Sequence, residues 1–294
     1  MKPAPFTYAA PASLHEALEI LAEHSHDAKV LAGGQSLIPA MNFRVTAPSM
    51  LVDLNRIESL SYIRREADRT LRVGAMTRQR AIERSEEVRQ GWPLLAEAIP
   101  HVAHPQIRNR GTVGGSLVHA DPAAELPVVM TALGAKFVLM SVRGERTVAA
   151  RDFFKGLFIV EAEPDEIMTE IVLPAMPPGE GSAFLEVARR RGDYAMMGVA
   201  AQLGTDGDGA CQSASLVYLN AGDKPIAADR AAALLIGNRP DDGQFAAAAR
   251  IAAQEEIAPT GNLHASADYQ RHLAQVLTRR VLKLAFERAQ SSHT

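Results

Sequence analysis

Val30-Leu31-Ala32-Gly33-Gly34-Gln35-Ser36 is an apolar run that breaks into a glycine pair followed by a hydroxyl residue. The same chemistry returns downstream as Arg110-Gly111-Thr112-Val113-Gly114-Gly115-Ser116. Without a Cβ the backbone can take left-handed turns and approach a ligand closely, so that consecutive N–H groups converge on phosphate oxygens. Serine and threonine hydroxyls add donors at the same place. Taken singly, each segment reads equally well as an ordinary tight turn. Taken together they suit a diphosphate, and therefore a dinucleotide.

The spacing also excludes two common nucleotide sites. A nicotinamide-binding Rossmann unit opens a helix with Gly-x-Gly-x-x-Gly and carries an acidic residue about 20 positions on. Neither segment has that spacing. A P-loop needs Gly-Lys-Ser/Thr, which is absent from the chain.

The sequence resembles the medium, FAD-binding subunits of the molybdenum hydroxylases, the family of xanthine dehydrogenase and aerobic carbon monoxide dehydrogenase. The motifs that carry the resemblance follow one another in order along most of the chain. They are Ala32-Gly33-Gly34-Gln35-Ser36-Leu37, Leu51-Val52-Asp53-Leu54, Val73-Gly74-Ala75-Met76-Thr77, the run Gln106 to Ser116, His119 to Pro127, Asp165-Glu166-Ile167 before Leu173-Pro174, and Arg190-Arg191-Gly192-Asp193-Tyr194-Ala195. The final third agrees only in general character.

The resemblance implies an α+β protein with a two-subdomain FAD-binding fold of the PCMH/vanillyl-alcohol-oxidase-like type and a small carboxy-terminal α/β domain. The expected divisions are 1–57, 58–176 and 177–294. It further implies that Lys29, Val30, Leu31, Ala32, Gly33, Gly34, Gln35 and Ser36 line one side of FAD, with Thr112, Val113, Gly114, Gly115 and Ser116 on the other. Glu125 takes the place of an acidic contact, a hydroxyl acceptor. Asp121 is either a second contact or a helix cap. Met168 corresponds to a position beside the ring system, Val102 is a further cofactor contact, and Tyr194 is placed to cover or edge the isoalloxazine, unless it is an ordinary strand aromatic. Relatives carry a lysine just after the phenylalanine matched by Phe184, but here Leu185 and Glu186 follow. A positive charge near a flavin favours its anionic reduced form; Arg189, Arg190 or Arg191 could supply one.

Composition fits this assignment. A chain of 294 residues, 47% hydrophobic, can bury substantial cores in two or three domains. A net charge of −3 gives no reason to expect nucleic acid or an anionic membrane. No apolar stretch approaches the roughly 18 residues of a membrane span. The amino terminus lacks the apolar core of a secretory signal, so the expected location is cytoplasmic. Cys211 is the only cysteine, which rules out an internal disulfide and any iron–sulfur cluster held by this chain. His101, His104 and His119 precede Asp121; the His-x-x-His spacing would present two imidazoles on one helical face as metal ligands, but polar groups around a cofactor loop are the commoner outcome.

Local signals give the element map. Ser13-x-x-Glu16 reads as a capping box for a helix with Leu14, Leu18 and Leu21 on one face. Strands are expected at Lys29–Ala32, Leu51–Leu54, Leu71–Val73, Lys136–Met140, Arg146–Ala149 and Glu166–Leu173. Helices are expected near Thr77–Ser85 and Pro93–His101, and from an Asp121 cap towards Leu133. Pro174 to Gly181 reads as a linker. Beyond it come strands Ala183–Ala188, Val199–Leu203 and Ser213–Leu219, then helices Ala227–Leu235, Gln244–Glu256 and Asp268–Ala289. The last carries Leu273, Val276, Leu277, Val281 and Leu284 as a core-facing stripe.

No nucleophile and base stand at a recognisable spacing, so the redox chemistry falls to the cofactor. The resemblance implies an electron-transfer subunit of a heterotrimer whose partners are a large molybdopterin subunit and a small subunit with two [2Fe-2S] clusters, assembled as a dimer of heterotrimers; the single cysteine fits clusters held on another chain. Two other readings are a stand-alone FAD oxidoreductase, such as the reductase of UDP-N-acetylenolpyruvylglucosamine, and a scaffold subunit that has lost its flavin. The substrate class stays open between carbon monoxide, purines, N-heterocycles and aldehydes. Valine at Gly114 and Gly115 is expected to abolish FAD retention in a chain that still folds.

Overall fold

Ser13 starts the first helix, Leu14–His24, by accepting a hydrogen bond from the Glu16 amide at 3.2 Å, a cap worth about 1 kcal/mol. The Glu16 carboxylate reaches back to the amide of Ala12, at 2.9 Å, rather than to that of Ser13. Ala17, Leu18 and Leu21 are buried by this helix against a three-stranded parallel sheet. In this computed structural model, which describes residues 2–292, the sheet runs Thr7–Ala9, Met50–Asp53, Ala28–Leu31. The first glycine segment leaves the edge strand Ala28–Leu31 at its carboxyl end.

The second layer is an antiparallel sheet of five strands in the order Ile63–Arg65, Leu71–Gly74, Ile167–Leu173, Lys136–Ser141, Gly144–Ala149. Ile167–Leu173 occupies its centre and is buried on both faces, only Val172 being partly exposed; its one charge, Glu170, is paired with Arg72 and accepts from the Tyr62 hydroxyl. Helices Pro93–Ala98 and Glu125–Ala132 bury Leu94, Leu95, Leu126 and Val129 in the same core as Leu71, Val73 and Ile171. Trp92 fills that core and donates its indole N–H to the Pro174 carbonyl at 2.8 Å.

The third layer is an antiparallel sheet of Glu180–Ala188, Ala195–Thr205, Cys211–Leu219 and the short strand Ile226–Ala227. The long helix Ala267–Ser291 lies across it, with Leu273, Leu277 and Val281 buried and Val276 and Leu284 half-buried at the margins of the expected stripe. Asn220 ties this sheet to the central one: its amide donates to the Pro122 carbonyl at 2.8 Å.

Several elements differ from the sequence expectation. The strand after the linker begins at Glu180, and its partner runs the full length of Ala195–Thr205. The expected helix Gln244–Glu256 is Asp242–Ile251 followed by a wider turn over Ala252–Glu256. The reciprocal capping box of the chain lies at Asp241 and Gln244. Asp121 is no helix cap. Its carboxylate accepts from the Ala123 amide at 2.9 Å in a local turn, and the helix starts only at Glu125.

Candidate functional site

Gly34 has φ +73°, the left-handed conformation that glycine adopts without penalty. Around it three successive carbonyls find partners inside the protein. Ala32 C=O accepts from Asn55 Nδ2 at 2.8 Å, Gly33 C=O from Gln35 Nε2 at 3.0 Å, and Gly34 C=O from the Ile38 amide at 3.1 Å. Among the described residues none of these carbonyl bonds is matched on the donor side: the amides of Gly33, Gly34, Gln35 and Ser36 donate to no protein group. In a trans peptide N–H and C=O point in opposite directions. Pinning the carbonyls therefore turns the amides the other way, towards a cleft of about 350 Å³ lined by Leu31 to Gln35, Asp53, Asn55 and Arg110. Its donors suit an anion.

The second segment is not a turn. Val113–His119 is a helix in which Thr112 Oγ1 caps the Gly115 amide at 3.1 Å. The amides of Val113 and Gly114 are taken by the carbonyls of Thr77 and Ala75, at 3.0 and 2.8 Å. Its glycines are there for close packing. A Cβ built on Gly114 would lie 2.6 Å from the Ala75 methyl and 2.8 Å from its carbonyl oxygen. One built on Gly115 would lie 3.3 Å from the Ala32 methyl, and one on Gly33 would lie 2.5 Å from the Arg110 carbonyl oxygen. The two glycine segments thus touch each other through positions where no side chain fits. For Gly114 the expectation of a folded valine variant changes, because that side chain would strike backbone of the central sheet.

Farther along, Val102 and Met168 are both buried in the central core. Val102 sits on a turn held by Arg108, whose buried guanidinium donates to the Val102 and Ala103 carbonyls at 2.8 and 3.2 Å and clamps Glu83 through two bonds of 2.9 Å. The Arg108 charge holds the Glu83 carboxyl below its ordinary pKa. Gly192, at φ +86°, packs against the Ala103 carbonyl and the His104 ring. That contact docks the turn bearing Tyr194 against Ala103 and His104, and Tyr194 is 72% exposed.

Three ionisable groups meet where the central and carboxy-terminal layers join. His101 Nδ1–H donates to Glu186 at 3.0 Å while the His101 ring packs edge-on against Phe184, centroids 5.4 Å apart. The second oxygen of Glu186 is buried with no hydrogen-bond partner. Glu125, 8% exposed, is pushed up to about pKa 8, first by burial and then by the Glu186 charge. The bond to Glu186 raises the His101 pKa. The three histidines serve separate places: His119 lies against the Phe158 ring at 5.0 Å, and His104 against Gly192. Among the described residues no cluster of His, Cys, Asp and Glu has the arrangement of a metal centre.

Lys29 and Val30 belong to the strand that feeds the first segment, and Ser116 to the glycine-bearing helix beside it. The structure therefore gathers Leu31–Ser36 with Thr112–Ser116 at one end, and Val102, Glu125 and the turn of Tyr194 at the other. Asn55 and Arg78 escape a sequence reading, as does the pairing of His101 with Glu186. Only Asn55 leaves a local trace, in Asp53-Leu54-Asn55, where the Asp53 carboxylate accepts the Asn55 amide at 2.8 Å.

The family described as the FAD binding domain in molybdopterin dehydrogenase matches residues 4–176, and the CO dehydrogenase flavoprotein C-terminal domain matches residues 182–285. The chain is 42% identical, over 98% of its length and 97% of the relative's, to 6-hydroxypseudooxynicotine dehydrogenase complex subunit alpha of Paenarthrobacter nicotinovorans. It is 41% identical, over the same shares of both chains, to caffeine dehydrogenase subunit beta of Pseudomonas sp. (strain CBB1). A solved structure of carbon monoxide dehydrogenase from Hydrogenophaga pseudoflava superposes with a TM-score of 0.94 at 38% identity, covering 98% of this chain and 99% of the other. No helix among the described residues is long and apolar enough to cross a membrane.

Proposed function

We propose that this chain, which belongs to the family of FAD-binding subunits of the molybdenum hydroxylases, is the electron-output subunit of such an enzyme. Bound FAD supplies reversible two-electron redox chemistry between one-electron carriers and an external acceptor. The remaining work is done by the residues of the chain. The observation that carries the reading is the polarity of the first glycine segment, whose carbonyls are occupied and whose four amides are open.

In this reading the amides of Gly33 to Ser36 bind the diphosphate, with Lys29 to Ala32 supplying backbone walls. Thr112, Val113, Gly114, Gly115 and Ser116 shape the opposite wall, Gly115 by lacking a side chain that would push the Ala32 wall away. Val102 and Met168 exclude water from the ring, and Tyr194 closes its edge. Glu125 and Asp121 hold hydroxyl groups of the cofactor. Being largely protonated at neutral pH, Glu125 can donate as well as accept.

Iron–sulfur clusters need several thiolates, and this chain offers Cys211 alone, buried and with its thiol pushed up to about pKa 11. The clusters and the molybdopterin are assigned to small and large partner subunits, in a dimer of heterotrimers located in the cytoplasm. The names of the relatives span caffeine, a pyridine derivative and carbon monoxide. That one FAD subunit design serves such different substrates supports a substrate site on a partner. The test is the absorption spectrum of the purified chain, with oxidised-flavin bands expected at about 370 and 450 nm, followed by co-purification with the two partners. A colourless chain that takes up no added FAD refutes the reading.

A further inference from the structure

Arg78 stands immediately before the helix Gln79–Arg84, and its backbone is locked to the second glycine segment. The Gln79 amide donates to Gly111 C=O at 2.9 Å and the Val113 amide to Thr77 C=O at 3.0 Å, which makes Arg78 and Thr112 antiparallel neighbours. The Arg78 side chain then crosses to the first segment. One guanidinium nitrogen donates to Arg110 C=O, and the other to Asn55 Oδ1 at 2.6 Å. Asn55 passes the connection on through Nδ2 to Ala32 C=O at 2.8 Å. Asp53 fixes the amide and Nδ2 of Asn55, at 2.8 and 2.5 Å, and is itself held by the Tyr8 hydroxyl at 2.6 Å.

We infer that Arg78 and Asn55 form a bracket that orients the Gly33 amide and keeps the two glycine segments in contact, which makes them positioning residues for the diphosphate of a bound dinucleotide. The inference rests on the FAD reading above and adds to it two residues that contribute through the backbone. Ala32 C=O and the Gly33 N–H share one peptide plane, so the bond from Asn55 fixes the direction of the first open amide. Arg110 C=O is the atom against which Gly33 packs, and Arg78 holds that atom in place. Without the bracket the Ala32–Gly33 plane is free to rotate, since glycine imposes little restraint of its own. Asn55 is exposed and Arg78 half-exposed, so the bracket adds little to folding in the absence of ligand.

The test uses the full chain stripped of flavin, with Arg78→Met, Asn55→Ala, the double variant and Arg78→Lys. Kd is measured for FAD and for ADP, which carries the diphosphate without the flavin, together with the unfolding temperature of each flavin-free chain. Loss of a charge-assisted hydrogen bond weakens binding roughly 10- to 100-fold. That loss is expected for both single variants, equally for FAD and ADP, with unchanged unfolding temperatures. The double variant should lose no more than either single, and Arg78→Lys should recover part of the affinity. Wild-type affinity in Arg78→Met overturns the bracket, as does a double variant whose loss is the product of the two singles. Affinity that falls only in step with unfolding temperature also overturns it. A wild-type chain that binds no FAD fails differently, because it refutes the parent reading.

Discussion

Glu125→Gln replaces a buried carboxyl by a neutral group of nearly the same shape, and the consequence should be a pH-dependent gain in stability. Glu125 moves from an ordinary carboxyl pKa of 4.5 to about 8 in the folded chain, with burial the main cause and the Glu186 charge the next. The folded state therefore binds the proton more tightly than the unfolded state, and stability is lost as pH rises from 4.5 through 8. A displacement of that size amounts to about 5 kcal/mol once the group is fully ionised in both states. Between pH 5 and pH 9 the wild type should lose about 4 kcal/mol relative to Glu125→Gln. At the slope common for large domains this is roughly 10 °C in unfolding temperature. The assay is thermal or urea unfolding of the flavin-free chains at intervals over that range. Groups remote from Glu125 titrate alike in both chains, so the difference between the two curves reports Glu125 together with its coupling to His101 and the Glu186 charge. Parallel curves would show that Glu125 ionises normally and that its burial is compensated by solvent.

Other consequences are as direct. Gly33→Ala drives a methyl onto the Arg110 carbonyl; FAD affinity should fall at least about tenfold while most of the stability is retained, and an unaltered Kd by flavin titration would show that the segments part without cost. Gly114→Val, by contrast, should destabilise the chain itself by about 1–3 kcal/mol through overpacking on Ala75, read as a lower urea midpoint in flavin-free protein. Arg108→Met leaves Glu83 partly unpaired and frees the carbonyls of Val102 and Ala103; a loss of about 3–5 kcal/mol is expected by urea unfolding. Glu186→Gln removes the charge that raises the His101 pKa. Histidine titration by NMR should then show His101 losing its proton at lower pH, and an unmoved midpoint would place the cause elsewhere.

The residue types themselves marked where backbone must come close to something. Gly33 and Gly34 were legible because a positive φ and a missing Cβ are local requirements that only glycine meets cheaply. The first and last helices were legible for a related reason: the Ser13 cap of the one and the apolar periodicity of both act within a few residues. The order of motifs from Ala32 to Ala195 sufficed for the family, whose models match residues 4–176 and 182–285.

Tertiary structure decided what the glycines are for. Gly114 and Gly115 look in sequence like a second amide cradle, yet they lie in a helix and make room for Ala75, Thr112 and Ala32. Asp121 looks like a helix cap, but the turn through Pro122 is held from the carboxy-terminal sheet by Asn220 and delays the helix to Glu125. Arg78 and Asn55 lie 23 positions apart and meet where the Met76 amide donates to the Leu60 carbonyl at 2.8 Å, folding the chain after Asn55 back beside the residues that lead to Arg78. A sequence records the conformations that a residue permits. Which carbonyl is engaged, and so which way the neighbouring amide points, depends on atoms that arrive from elsewhere in the chain.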